Sequence, residues 1–370
     1  MLEQILKKDE LAVFRLRKIY EQYGYLPFKM SRFEEYELYV RNKDFLVSDR
    51  VITFSNTDGR LLALKPDVTL SIIKNAQDAK GSIQKLYYNE NVYRPGKSDQ
   101  SFQEILQTGL ECVGDLGDYE IQEVVLLAVK SLDALGYPFI LDLSHMGLIR
   151  SVLNRSGLDG EQKNMAMEYL HQKNGHELTA LCRSFAPESE KILSALVQFS
   201  GAPETVFSVI MPLLGTEEEI QSLRQLQGIY DMLKQLGCEK NVRIDFSVGS
   251  DMKYYSGVVF KGYLEGIPTG ILSGGAYDKL LKKMGKSSHA IGFAIYLDLL
   301  ELLEENEAFA CVDTVLLYDA TASAQQLMQV SEGLRKEGSV LAAAALPESV
   351  HWRRLMKLVE GEAICIESNG

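Results

Sequence analysis

The chain has 370 residues, 46% of them hydrophobic and 24% charged, and carries a formal net charge of −12. That length is ample for one large domain with a small one beside it, and the composition is that of an ordinary globular protein. The acidic balance speaks against a broad electrostatic grip on nucleic acid, which needs clustered Lys and Arg, and no apolar run approaches the roughly 18 residues of a membrane helix.

The chain opens with an amphipathic helix over residues 5–24, ended by Gly24 and charged throughout, unlike a signal peptide. Cys112, Cys182, Cys238, Cys311 and Cys365 are scattered without a CxxC pair, and the five histidines are as dispersed. A reducing cytoplasm is therefore expected, with no disulfide framework, no metal site and no cofactor. Residues 29–38 read as a strand end running into a helix. Short strands follow at 45–47 and 51–54, then a turn at Asp58-Gly59-Arg60. Leu61 to Thr69, LLALKPDVT, reads as a buried strand ended at Pro66 and a helix whose first turn holds Asp67 and Thr69. Acidic and hydroxyl groups satisfy the free N–H groups of a helix start, so capping alone accounts for both.

Two strands joined by a polar loop come next. Leu86 to Tyr93 alternates apolar and polar residues, and Arg94-Pro95-Gly96 ends it, because proline fixes φ and glycine permits a tight turn. The loop runs through Ser98, Asp99 and Gln100. The second strand, Ile105 to Val113, puts Leu106, Thr108, Leu110 and Cys112 on one face and Gln107, Gly109 and Glu111 on the other. Taken alone, that second face reads first as the solvated side of an antiparallel sheet and second as an acceptor-rich wall of a cleft.

Asp118 to Gly136 is a helix with a buried stripe, Pro138 to Leu143 a strand, and 145–237 almost wholly helical, with breaks near Gly157, Gly175, Pro187 and Pro203. A strand at Val242 to Val248 precedes YYSGVVF from Tyr254, SGGAYD from Ser273 and AIGFAIYLDLL from Ala290, the last a strand running into a helix. Gly274 and Gly275 let a backbone approach a small ligand. Tyr254, Tyr255 and Tyr277 can wall and hydrogen-bond a ring, although tyrosines in strands more often serve a core. The C-terminal segment reads as a βαβ-type fragment: strand 312–318, helix 321–336, and strands 340–345 and 363–367.

The order and spacing of these pieces resemble the class II aminoacyl-tRNA synthetases, and among them histidyl-tRNA synthetase. The strand–loop–strand is similar to motif 2, with Arg94 at the end of its first strand. Gln107-Thr108-Gly109-Leu110-Glu111 matches the end of the family's HQ-x-x-x-E, Leu106 standing where the family has histidine. LKPDVT resembles LRPE-x-T, with Lys65 and Asp67 in place of arginine and glutamate. YYSGVVF resembles YY-x-x-x-VF, GGAYD resembles GGRYD, and AIGFAIYLDLL resembles motif 3. Residues 29–38 lie where motif 1 builds a dimer, without its proline. The resemblance implies an α+β fold: an antiparallel sheet flanked by helices over residues 1–305, a helical insertion at about 145–237, and a small truncated α/β remnant over 306–370. It also implies a histidine pocket. Asp67, Thr69 and Gln107 would meet the α-ammonium, Glu111 and Tyr255 would bracket the imidazole, and Arg94 would meet the carboxylate. Tyr254, Gly274, Gly275 and Tyr277 would complete the walls.

Four positions where the family places an arginine lack one: the motif 2 loop near Gln103, the stretch Ser247 to Lys253, Ala276 and Leu299. Tyr296 takes a position that is usually glycine beside the adenine. Adenylation needs positioned cations around the phosphates, and each lost donor typically costs ~10²–10³ in rate, so no catalytic residue is assigned. A chain that holds histidine without activating it resembles the regulatory subunits of ATP phosphoribosyltransferase, paralogues of histidyl-tRNA synthetase. That resemblance implies a non-enzymatic chain required by a short catalytic subunit for the first step of L-histidine biosynthesis and involved in histidine feedback. It further implies a homodimer within a larger hetero-oligomer, without nucleic-acid or membrane partners. The alternative is a divergent histidyl-tRNA synthetase that retains aminoacylation with other cations.

Overall fold

A computed structural model of the chain describes residues 6–46, 50–95, 101–249, 254–303, 310–347 and 350–368. It forms two compact units, Met1–Leu303 and Glu304–Gly370.

The first unit begins with α1 (Lys8–Gln22), whose Ala12, Leu16 and Tyr20 recur every four residues and are all buried. The chain leaves it through Gly24 at φ +79°, a conformation that costs glycine little. Then come β1 (Leu26–Pro27), β2 (Phe33–Glu35), α2 (Tyr36–Arg41), β3 (Thr53–Ser55) and β4 (Leu61–Leu64). The last three strands form a small antiparallel sheet in the order β2-β4-β3. Phe45 and Leu46, expected in a strand, instead end a 3-10 turn at Lys43–Phe45, and Val47 lies outside the described residues. After α3 (Thr69–Asn75), two 13-residue strands, β5 (Ile83–Pro95) and β6 (Phe102–Gly114), pair antiparallel along their whole length. The loop at Ser98, Asp99 and Gln100 that joins them lies outside the described residues.

The remaining elements of this unit are α4 (Asp118–Ala134), β7 (Phe139–His145), a helical insertion, β8 (Val242–Ile244), β9 (Val258–Leu264), β10 (Leu272–Ala276), α11 (Asp278–Lys283) and β11 (His289–Tyr296). The insertion comprises α5 (Met146–Arg155), α6 (Gly160–His171), α7 (Gly175–Phe185), α8 (Glu190–Gln198), α9 (Pro203–Ile210) and α10 (Glu217–Gln235). β8 is shorter than the seven residues read as strand, because Asp245 turns the chain. Its carboxylate accepts hydrogen bonds from the backbone N and the hydroxyl of Ser247, at 2.9 and 2.6 Å. The helix expected after β11 is a 3-10 segment, Leu297–Leu303.

One eight-stranded sheet, in the order β1-β5-β6-β11-β10-β9-β7-β8, organises the unit; its end pairs β1–β5 and β7–β8 are parallel and its interior is antiparallel. α1 and α4 pack on one face, where Leu110 and Cys112 of β6 are fully buried. The opposite face of β6 is not solvated either: Gln107 and Glu111 are each 2% exposed. Between the two readings of that strand, the buried cleft is the one realised.

A buried ion pair ties the small sheet to the large one. Lys65, directly after β4, is fully buried and pairs with Glu90 of β5. Removing one member of such a pair strands the other charge. Glu90→Ala is expected to destabilise the chain by about 3 kcal/mol, read by urea denaturation, whereas breaking an exposed pair such as Lys234–Glu204 should cost far less.

The second unit holds β12 (Ala310–Leu317), α12 (Ala324–Arg335), β13 (Val340–Ala343), β14 (Val350–Val359) and β15 (Glu362–Ser368), with the sheet order β13-β12-β14-β15. β12 is parallel to both neighbours and β15 antiparallel to β14, so the expected βαβ fragment carries an added hairpin. β14 was not read from the sequence because HWRRLMKLV crowds charges onto a strand; Leu355 and Leu358 are the side chains it buries. Its turn, Glu360 at φ 52° and Gly361 at φ 89°, has the two positive φ values of a tight hairpin.

Candidate functional site

The registers of β9, β10, β11 and β6 line their residues up in rows across the sheet. One row reads Val259, Gly275, Gly292 and Glu111; the next reads Lys261, Ser273, Ala294 and Gly109. The middle positions of both rows are small, which lowers the floor and leaves a cavity of about 390 Å³ above it. Gly292 is indispensable to this shape. A Cβ there would stand 1.8 Å from Glu111 Oε2 and 2.5 Å from the Leu110 carbonyl oxygen.

Glu111 is the centre of the acidic side. Thr69 donates its hydroxyl to Oε1 at 2.8 Å, and the Tyr277 hydroxyl donates to Oε2. Burial pushes its pKa up to about 8; the two hydroxyls pull the other way and the nearby Asp67 adds to the rise. Thr69 reaches this position because it opens α3. Asp67 stands just before that helix and accepts from the backbone N of Leu70 at 2.9 Å, so the capping reading of Asp67 holds alongside its place in the cavity. Burial raises the Asp67 pKa, opposed by Arg94. Arg94 donates Nε to the Pro66 carbonyl at 2.8 Å and lies 3.9 Å from the Asp67 carboxylate. Gln107 is buried, and its Nε2 has no hydrogen-bond partner in the protein. A buried amide left in that condition calls for an acceptor from outside the chain.

The aromatic wall is compact. Ring centroids lie 4.8 Å apart for Tyr254 and Tyr255, 5.8 Å for Tyr254 and Tyr277, and 6.0 Å for Phe45 and Tyr254.

Of the ten candidate residues, nine line the cavity and Gly275 does not. Gly275 serves the wall indirectly: a Cβ there would meet the Tyr255 ring and the Val258 carbonyl oxygen, each at 2.7 Å. Several lining residues were not singled out from the sequence, among them Tyr88, Lys261, Ser273, Gly292 and His171. Gly292 sits inside a recognised motif, and period-2 alternation from Val259 would have found Lys261. His171 carries no such signal. It comes from α6 of the insertion, where its Nδ1 lies 3.0 Å from the Ser247 carbonyl oxygen.

Chemically, the site offers two carboxyl groups, one of them neutral near pH 7, an unmatched amide, aromatic walls, and cations at Arg94 and Lys261. That set suits a small zwitterion carrying a hydrogen-bonding ring. Ala276 and Leu299, two positions where phosphate-binding arginines were expected, pack against the hydrophobic core. Among the described residues there is no metal-binding cluster of His, Cys, Asp and Glu, and no helix long and apolar enough to cross a membrane.

Comparison with known proteins places the chain in a family. The family model described as histidyl-tRNA synthetase matches residues 1–300. The ATP phosphoribosyltransferase regulatory subunit of Clostridium kluyveri is 28% identical over 353 residues, 92% of this chain and 90% of that one. Among solved structures, an ATP phosphoribosyltransferase regulatory subunit/histidyl-tRNA synthetase from Bacillus halodurans superposes with a TM-score of 0.72 at 22% identity, covering 93% of each chain. A chain of an ATP phosphoribosyl transferase complex from Thermotoga maritima superposes with a TM-score of 0.61 at 20% identity, covering 77% of this chain and 96% of that one. The chain belongs to the histidyl-tRNA synthetase family and has its α+β fold.

Proposed function

We propose that this member of the histidyl-tRNA synthetase family is the regulatory subunit of an ATP phosphoribosyltransferase. It performs no aminoacylation. A short catalytic subunit requires it for the first step of L-histidine biosynthesis, and its cavity binds L-histidine as the feedback signal. The observation that carries this reading is the pairing of a complete acid, amide and aromatic pocket with the absence of arginine at positions 276 and 299. Such a pocket can hold an amino acid, but it lacks the cations that would stabilise an adenylating transition state. Curated relatives named as regulatory subunits of this enzyme support the same role.

The chain acts as a homodimer within a hetero-oligomer in the cytoplasm. Exposed apolar side chains in the N-terminal region, Leu26, Phe33, Phe54 and Leu61, support an apolar self-contact there. The unit from residue 304 onward is read as the counterpart of a tRNA-reading domain. Histidine in the cavity would shift the complex between two arrangements, with a coupling of the usual ~1–3 kcal/mol.

The test mixes the purified chain with the short catalytic subunit of the same organism and follows phosphoribosyl-ATP formation with and without histidine. Activation of the catalytic subunit by more than about tenfold, a coupling of roughly 1.4 kcal/mol, reversed by histidine, is expected. Absence of activation, together with histidine-dependent ATP–pyrophosphate exchange by this chain alone, would overturn the proposal in favour of a divergent synthetase.

A further inference from the structure

Three helices of the large unit close alike. After α1, α4 and α10 the first residue past the cap is a glycine, Gly24, Gly136 and Gly237, at φ 79°, 81° and 69°, the left-handed conformation that suits a residue without Cβ. α6 ends in the same motif. The backbone N of Lys173 donates to the Leu170 carbonyl at 3.1 Å, and that of Asn174 to the Tyr169 carbonyl at 2.8 Å. Here, however, the left-handed residue is a lysine, at φ 55°, and its Cβ makes that conformation strained. A strained residue held in place by its surroundings asks for a reason.

Its side chain supplies one. Lys173 Nζ donates to Asp245 Oδ2 at 2.6 Å, and the Asp245 side chain is only 8% exposed. The other oxygen of that carboxylate, Oδ1, accepts from the backbone N and the hydroxyl of Ser247 at 2.9 and 2.6 Å. Arg243, close by, is taken up by Asp142, with its Nε and a terminal nitrogen at 2.9 and 3.2 Å from the two carboxylate oxygens. One buried carboxylate therefore joins the helical insertion to the turn after β8. A second tie runs beside it, from His171 Nδ1 to the Ser247 carbonyl oxygen at 3.0 Å. Ser247, Val248 and Gly249 line the cavity with His171, whereas Lys173 does not reach it.

We infer that Lys173 is a positioning residue for the cavity: by holding Asp245 it sets the Ser247–Gly249 rim, so that the helical insertion controls how tightly the cavity grips its ligand. The part of this that concerns affinity rests on the amino-acid-binding reading of the cavity. Coupling is reciprocal, so a ligand against the rim steadies the end of α6 in turn.

A variant series separates the charge of Lys173 from its backbone strain. Lys173→Gly removes both, Lys173→Met removes the charge alone, and Lys173→Arg keeps both. Calorimetric titration of the full chain with L-histidine is expected to show Lys173→Gly and Lys173→Met weakened alike, by about 3–30-fold, the scale on which residues outside a ligand's contacts modulate coupling. Lys173→Arg should bind nearly as the wild type does. Thermal melts should rank differently, with Lys173→Gly above Lys173→Met, because only the former relieves the left-handed residue. In the ligand-free chain, hydrogen exchange of the amides from Ser247 to Gly249 should be faster in both uncharged variants than in the wild type. Wild-type affinity in Lys173→Gly, or affinities that follow the melting order instead of the charge, would show that Lys173 only closes its helix and would overturn the inference. Unchanged exchange at the rim would do the same. A wild-type chain that binds no histidine would instead overturn the histidine-pocket reading, and the exchange comparison would still decide whether Lys173 holds the rim.

Discussion

Glu111→Gln is expected to weaken histidine binding by roughly 100-fold while leaving the chain folded and, without ligand, more stable above neutral pH. The binding loss follows because a cationic ligand group favours the ionised form of Glu111, and the charge-assisted hydrogen bond then formed, worth about 1.5–3 kcal/mol, is one that glutamine cannot supply. The stability gain follows from the pKa of Glu111, raised to about 8 by burial in the folded chain, against about 4.3 for an exposed glutamate. Between those two pH values the folded chain holds a proton that the unfolded chain has released. Stability therefore falls as pH rises through that window and levels off above about 8. Glutamine resembles the neutral carboxyl in shape, accepts one hydrogen bond and donates another, and has no proton to lose. Denaturation of both chains at pH 5, 6.5 and 8 should show the wild type losing stability relative to the variant, by an amount on the order of several kcal/mol. Parallel stabilities at all three values would mean that Glu111 is ionised throughout.

Gly292→Ala should be strongly damaging for so small a substitution. The added methyl would fall 1.8 Å from the Glu111 carboxylate and 2.5 Å from the backbone oxygen of Leu110, a neighbour that cannot swing aside because β11 and β6 are paired from His289 to Tyr296. We expect a loss of upwards of about 3 kcal/mol, at the high end of overpacking costs, together with loss of the ligand. Gly333→Ala in α12 is the matched control, since nothing lies within 4 Å of its added Cβ. Helix propensity predicts that this control is neutral or stabilising by up to about 1 kcal/mol. Thermal melts of the two variants separate the effects, and a Gly292→Ala chain that melts with the wild type would show that the strands yield to a methyl.

The long strands β5 and β6 were readable because their alternation runs for many residues and both pair with strong neighbours. The period of two placed Gln107 and Glu111 on one face, and the resemblance to motif 2 is what implied a pocket there. Where the sequence reading failed, a local signal was overruled. Phe45 and Leu46 are strand-like residues spent in a 3-10 turn beside Tyr254. The strand at Val242 stops early because one side chain, Asp245, rewires the backbone. β14 hides behind His351, Arg353 and Lys357, whose exposure on one strand masks the burial of Leu355 and Leu358.

What the sequence determined by itself is the kind of residue that the site contains: Glu111, Gln107 and Asp67 at fixed offsets in strand and helix-start segments, and tyrosines and glycines in recognisable order. Alternation and capping are local rules, so a linear reading captures them. Only the tertiary structure decided the state of those residues and the company they keep. It turned the Gln107 and Glu111 face from solvent into a cavity and set Thr69 and Tyr277 on one carboxylate from 42 residues before it and 166 after. It also brought Lys261 across three strands and His171 out of a helical insertion. Burial and cross-strand register are properties of the assembled sheet, and the proton affinity of Glu111 depends on both.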